Sequence, residues 1–201
     1  MKEQPSLSRL EFEVKPESLP LFTTVLQSGI EVMTENGVTL GRLLSSFPGF
    51  TAEYLAETVQ TIFLNGTAID DLTTPLRGAH PVLALSAAMP GLAGAIFRKN
   101  SFHAALRTET KSSSHAPAKE DDLTVTLKLF NSIARDRGEE LLYRGVSIQT
   151  GHLEGFLAIR PNLLEDIALI RLNDTAIDKA DLPRILTTEK KVNLIIKKAD
   201  D

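Results

Sequence analysis

The sequence predicts an α+β protein made of two tandem copies of one small domain, each a mixed sheet packed on one helix. The first observation is a repeated stretch, since residues 64–70 and 172–178 agree at six of seven positions, 108 residues apart. The second is that the match extends without gaps, so that residues 37–70 and 145–178 share 11 of 34 residues. A repeat spaced by about 100 residues has the size of a small domain and is too long for a solenoid repeat.

Composition narrows the class of protein. The chain has 201 residues, of which 42% are hydrophobic and 24% charged, as is typical of a globular protein. A net charge of -4 gives no electrostatic case for nucleic acid. The absence of cysteine excludes disulfides and thiolate chemistry.

The first residues lack the apolar stretch of a secretory signal, so we expect a cytoplasmic protein. Prolines and glycines interrupt the uncharged stretch 78–97, so we expect no membrane span.

The first copy shows strand and helix patterns in a definite order. Residues 9–15 alternate between apolar and charged, which predicts a half-buried strand, and residues 21–26 are apolar but ambiguous. Further strands are predicted at 30–32, 61–64, 67–69 and 82–85, the last apolar throughout, as for a strand buried on both faces. Leucines at helical spacing predict a helix from Leu40 to Phe47, which Pro48 ends.

The second copy follows a polar linker. Residues 108–122 lack large apolar side chains and predict a flexible connection between domains at 1–107 and 123–201. The second copy has predicted strands at 123–129, 139–143, 168–172 and 192–196, and a predicted helix at 151–159.

Two short motifs resemble one protein family. Leu64-Asn65-Gly66 is similar to the Val-Asn-Gly turn that follows the third strand of the sulfur carriers of molybdopterin and thiamine biosynthesis. The stretch from Thr74-Pro75-Leu76 to Val82 has the length of the segment that leads into their last strand. The resemblance implies two β-grasp, ubiquitin-like domains.

The tails depart from the family pattern. The carriers end in Gly-Gly nine residues after the strand valine, and this free carboxylate is adenylated and converted to a thiocarboxylate. Counting from Val192 reaches Asp201, so the equivalent pair is Asp200-Asp201. Counting from Val82 reaches Gly91, which follows Pro90 and continues into the rest of the chain. Neither copy has a competent tail, so the family activity is not carried over and no catalytic residue is assigned.

Other chemistry has little support in the sequence. The four histidines form no ligand pair, which gives no basis for a metal site or a cofactor. Asp70-Asp71 and Asp178 follow predicted hairpins and are expected to end strands rather than to share a proton. Gly91 and Gly94, followed by basic residues, favour a turn into a short helix at 95–106 over a phosphate-binding loop.

The segment 87–107 is the one part of the first copy that the second copy lacks. It is rich in large apolar side chains, which we expect to mediate an interaction: Met89, Leu92, Ile96, Phe97, Phe102 and Leu106. We therefore expect a non-catalytic protein that acts in protein binding or scaffolding. The expected partner is another protein, either an activating-enzyme-like or cofactor-biosynthesis protein or a second copy of the chain. The alternative is a sulfur-carrier precursor that proteolysis after Gly91 or Gly94 activates.

The tail sequence yields a direct test. When the full chain is incubated with ATP, a sulfur donor and a sulfur-carrier activating enzyme, we expect no adenylation of the C-terminus, because Asp200-Asp201 adds charge and bulk where glycines are required. Intact-mass spectrometry checks this. A mass gain that corresponds to sulfur replacing oxygen at Asp201 would contradict it.

Overall fold

The structure is a computed structural model that describes residues 7–103, residue 107 and residues 122–199. The strands are β1 (Ser8–Val14), β2 (Ile30–Glu35), β3 (Thr61–Leu64), β4 (Thr67–Ala68), β5 (Val82–Ser86), β6 (Asp122–Phe130), β7 (Val146–Gln149), β8 (Ile167–Leu172), β9 (Thr175–Ile177) and β10 (Lys191–Lys198). The helices are α1 (Leu19–Phe22), α2 (Leu40–Ser45), α3 (Ala52–Glu57), α4 (Gly91–Phe97), α5 (Asn131–Arg144), α6 (Thr150–Ala158), α7 (Pro161–Glu165) and α8 (Leu182–Thr188). Short 3₁₀ turns at Pro16–Ser18, Thr23–Gln27 and Lys179–Asp181 complete the elements. None of the helices described is long and apolar enough to cross a bilayer.

The chain is α+β with mixed parallel and antiparallel strand pairing, as the sequence predicts, but its compact units do not follow the predicted domain boundaries. Unit 1 combines the described residues up to Ile30 with those from Gly138 onward, and unit 2 contains the described residues between Glu31 and Arg137. The predicted domains at 1–107 and 123–201 are therefore interleaved. The predicted linker lies outside the described residues, except for Asp122, which begins β6.

Each sheet contains one strand from the other half of the chain. In unit 2 the order is β4-β3-β5-β6-β2, and β6 runs parallel to β5. In unit 1 the order is β9-β8-β1-β10-β7, and β1 runs parallel to β10. The first strand of each predicted copy thus pairs with the last strand of the other copy. A helical segment follows each of these first strands: α1 and its flanking 3₁₀ turns lead from β1 into β2, and α5 leads from β6 into β7.

The Asn turns of the repeated stretch are found at matching positions. Asn65 (φ 51°) lies between β3 and β4, and Asn173 (φ 49°) lies between β8 and β9. Each side chain accepts a hydrogen bond at 2.8 Å from the backbone of the neighbouring strand, Asn65 from Val82 N and Asn173 from Arg9 N. The neighbouring strand is β5 in unit 2 and β1 in unit 1. The strand that comes from the other half of the chain therefore occupies a different position in each sheet.

Helix α5 corrects one prediction, and the units contain more helices than the sequence predicts. The predicted strand at 139–143 is wrong, because these residues belong to α5. Its buried side chains Ile133, Ala134, Leu141 and Leu142 recur at helical spacing over the whole helix, and this pattern is not visible in the five residues 139–143. The ambiguous residues 21–26 are helical, and neither unit has a single helix as predicted.

The core of each unit lies on one face of its sheet. Strict alternation in β6 buries Leu123, Val125, Leu127 and Leu129, and the alternation in β1 buries Leu10, Phe12 and Val14. Apolar side chains of α2 and α3 are buried in unit 2, and those of α6 and α8 in unit 1. The side chains on the opposite face of each sheet are not part of this core.

The packing of α5 against the segment after β1 provides a stability test. A Cβ at Gly138 would lie 2.7 Å from Thr23 Cβ, which is too close without a backbone shift. We expect Gly138→Ala to lower the free energy of unfolding by about 1–3 kcal/mol despite its better helix propensity. Urea unfolding measures the change.

Gly155 in α6 serves as the matched control. It is exposed, and an added Cβ would meet no atom within 4 Å. Gly155→Ala should therefore raise the free energy of unfolding by about 0.5–1 kcal/mol. Equal effects of the two substitutions would contradict the packing of unit 1.

Candidate functional site

An apolar pocket lies on the face of the unit 2 sheet that does not face the core. Its volume is about 670 Å³. The lining residues come from β3, β5, β6 and the adjoining turns: Phe63, Gly66, Val82, Ala84, Leu85, Ser86, Met89, Pro90, Phe130 and Asn131. Alternation places Phe63, Ala84 and Phe130 on this face, because Ile62, Leu83 and Leu129 beside them are buried in the core.

This pocket corrects the prediction that β5 is buried on both faces. Leu83 and Leu85 are buried, but Val82 is exposed and Ala84 is half-buried. The strand is apolar on both sides because one side contributes to the core and the other to the pocket. An apolar run therefore indicates two contact surfaces here, and only one of them is filled by the protein itself.

One end of the pocket is polar. Asn131 Nδ2 donates a hydrogen bond to Ser86 Oγ at 2.8 Å. Thr61 pairs with Ser86 across the antiparallel strands β3 and β5, so both side chains lie on the same face. Thr61 is only 1% exposed, and its Oγ1 has no hydrogen-bond partner among the described residues. Asn131 has φ 55°, a left-handed conformation that asparagine tolerates, and it turns the chain from β6 into α5.

The described residues of the segment 87–107, which are 87–103 and 107 and which we name the arm, leave β5 beside the pocket and return over β3. The rings of Phe97 and Phe63 pack with their centroids 5.3 Å apart. Lys99 N donates to Gln60 O at 2.7 Å, which fixes the end of the return path. Gly94 is required within this turn, because a Cβ there would lie 1.8 Å from Met89 O.

An ion pair and hydrogen bonds also attach the arm to the rest of unit 2. Arg107 Nη1 pairs with Asp70 Oδ1 at 2.8 Å, and Arg107 Nε donates to Ile96 O at 3.0 Å. Burial lowers the pKa of the Lys99 ammonium, and the charge of Asp70 offsets part of this effect. Asp71 instead accepts hydrogen bonds from Thr73, which lower its pKa. Asp70 and Asp71 therefore have separate partners.

The predicted interaction residues have different environments. Met89 and Pro90 line the pocket, and Gly91 is exposed with φ 74° at the start of α4. Ile96 and Phe97 are half-buried, whereas Leu92 is 71% and Phe102 is 96% exposed. Leu106, Asp200 and Asp201 lie outside the described residues. Helix α4 ends at Phe97, and the predicted helix at 95–106 matches it only at residues 95–97.

The corresponding face of unit 1 is charged. Glu11 is 6% exposed and pairs with Lys197 at 3.0 Å and with Arg9 at 2.7 Å, while Arg171 contacts Glu13. Burial alone would raise the pKa of Glu11, but the hydrogen bond and charge of Lys197 and the charge of Arg9 outweigh it, so the pKa is lowered. Arg171 is aligned with Phe63 by the sequence repeat. The two units have therefore diverged on this face.

Comparison of the chain with protein-family models, with curated proteins and with solved structures gave no match. Among the described residues, no group of three or more His, Cys, Asp or Glu side chains is arranged to hold a metal ion. The candidate site therefore rests on the pocket and the arm themselves.

The two phenylalanines of the arm should respond differently to substitution. Phe97→Ala should lower the free energy of unfolding by about 1–2 kcal/mol, because a half-buried ring loses its contact with Phe63. Phe102→Ala should change it by less than about 0.5 kcal/mol, because the ring is almost fully exposed. Urea unfolding of both variants checks this. Equal destabilisation would mean that the ring of Phe102 is buried in solution.

Proposed function

We propose that this chain is a non-catalytic binding protein of the ubiquitin-like β-grasp class, derived from the sulfur carriers of cofactor biosynthesis, and that its arm docks a partner protein. The α+β units with mixed sheets and a helix-covered face support the class. The Asn-Gly turn and the Thr-Pro-Leu stretch support the relationship to the carriers.

The observation that carries the proposal is the exposure of Leu92 and Phe102 on a segment that is otherwise attached. The attachment comes from the Phe97–Phe63 contact, the Lys99–Gln60 hydrogen bond and the Arg107–Asp70 ion pair. A segment that is already ordered loses little conformational entropy when it binds. Exposed aromatic side chains commonly provide the central contacts of protein interfaces.

The partner follows from the position of the arm. It leaves the end of β5, where the tail of a sulfur carrier would leave to meet its enzyme. An activating-enzyme-like or cofactor-biosynthesis protein is the proposed partner, and a second copy of the chain is the next candidate. Both would bury the two exposed side chains.

A carrier precursor is the second candidate function. Cleavage after Gly91 would free a tail that ends in glycine, and the exposure of Pro90 and Gly91 favours this site. Gly94 is buried against the Met89 carbonyl, which disfavours cleavage after Gly94. Intact-mass measurement of the chain from its native host would detect a product that ends at Gly91.

Site-specific photo-crosslinking tests the docking proposal. A photoreactive phenylalanine analogue at position 102 should crosslink to a defined protein in the native host. The same analogue at Tyr143 provides the control, because that aromatic residue is 64% exposed but lies in unit 1. The captured protein is then purified, and its affinity for the wild-type chain is measured by calorimetry.

The expected result is a loss of affinity of about ten-fold or more for the double variant Leu92→Ser, Phe102→Ser. Tyr143→Ser should bind like the wild type. Crosslinks that are the same at both positions, or an unchanged affinity of the double variant, would contradict the proposal.

A further inference from the structure

We propose that the unit 2 pocket binds a neutral, mainly apolar small molecule that carries one hydroxyl or amide group. This inference goes beyond the proposed function, because it concerns the pocket beneath Met89 and Pro90 rather than the exposed side chains of the arm. It rests on the size of the pocket, on the chemistry of its lining and on the polar groups at one end.

The size of the pocket suits a small molecule. Its volume of about 670 Å³ lies within the range of about 300–1,000 Å³ that is typical of small-molecule sites. The walls come from strands β3, β5 and β6, whose backbone hydrogen bonds fix their spacing. The arm holds Met89 and Pro90 at the edge through the close contact of Gly94 with Met89 O. These walls are built from ordered elements, so the space is formed before a ligand enters.

The lining selects against a charged ligand. None of the ten lining residues has an ionisable side chain. Lys128 is opposite Ala84 in the parallel pair β5–β6, but it is not among the lining residues. A charge buried in such a site would lose its hydration without gaining a counter-charge, which is costly. The main body of the ligand must therefore be apolar and uncharged.

The polar end supplies the hydrogen-bonding position. Asn131 uses one N–H for Ser86, which leaves its amide oxygen and second N–H for a ligand. A hydroxyl or amide of the ligand can both donate to the amide oxygen and accept from the second N–H of Asn131.

The test uses a matched pair of fluorescent probes and the full chain. N-phenylnaphthylamine is neutral, apolar and bears one N–H donor, whereas anilinonaphthalene sulfonate has the same ring skeleton and an added negative charge. We expect saturable binding of one N-phenylnaphthylamine per chain. The sulfonate should bind at least about ten-fold more weakly.

Two substitutions locate the binding. Ala84→Trp fills the pocket from β5 and should weaken N-phenylnaphthylamine binding by about ten-fold or more. Ala168→Trp is the matched control, because Ala168 is an exposed alanine in β8 of unit 1, and it should leave the affinity unchanged. Ser86→Ala removes the hydroxyl that positions the Asn131 amide and should also weaken binding. Thermal melting identifies any variant that fails to fold.

Chemical-shift mapping on the wild-type chain keeps the test independent of the variants. Added N-phenylnaphthylamine should shift the amide signals of Ala84, Ser86 and Asn131. The proposal is overturned if the probe does not bind saturably, if the shifts cluster elsewhere, if the sulfonate binds as tightly, or if folded Ala84→Trp retains wild-type affinity. None of these results alters the crosslinking outcome at position 102, so the two proposals fail separately.

Discussion

A parallel pair of strands lies inside each sheet, and each pair joins strands from opposite halves of the chain. β5 pairs with β6 in unit 2, and β10 pairs with β1 in unit 1. Inner strands have their backbone groups removed from water, so each needs a hydrogen-bonding neighbour on both sides. Neither half of the chain can therefore complete its own sheet as observed. The helical segment after β1 leads into β2 of unit 2, and α5 leads from β6 into β7 of unit 1.

The pocket of unit 2 is a consequence of this pairing. Phe63 and Ser86 belong to the N-terminal half of the chain. Phe130 is the last residue of β6 in the C-terminal half, and Asn131 follows it. Because β6 is the neighbour of β5, the end of β6 lies beside Ser86 and places the Asn131 amide within hydrogen-bonding distance. The arm begins at the same end of β5. The pocket, its polar end and the arm thus depend on one strand contact.

Patterns within single segments of the sequence predict most of the strands. Features that depend on the pairing of distant segments cannot be predicted in this way. The alternation of Leu123 to Leu129 is readable within one strand, so the strand was predicted, but nothing in it identifies β5 as its partner. Residues 139–143 were assigned to a strand because their helical period is visible only across all of α5. The arm was predicted because its apolar residues are contiguous in sequence. The pocket was not, because Phe63 and Asn131 are far apart along the chain and meet only through the exchanged strand.

The sheet faces that lie opposite the cores differ in chemistry, since that of unit 1 is charged and that of unit 2 is apolar at the pocket. In unit 1, Glu11 is nearly buried, and removing either Lys197 or Arg9 would leave part of its charge uncompensated, which is costly. Because the pKa of Glu11 is lowered, its contribution to stability is present above the ordinary pKa of glutamate and is lost as the pH falls through the lowered value. None of the residues that line the unit 2 pocket has a titratable side chain. The charged side chains on the unit 1 face pair with one another, whereas Phe63 and Phe130 make the unit 2 face apolar at the pocket. Arg171, which the sequence repeat aligns with Phe63, marks this difference between the two faces.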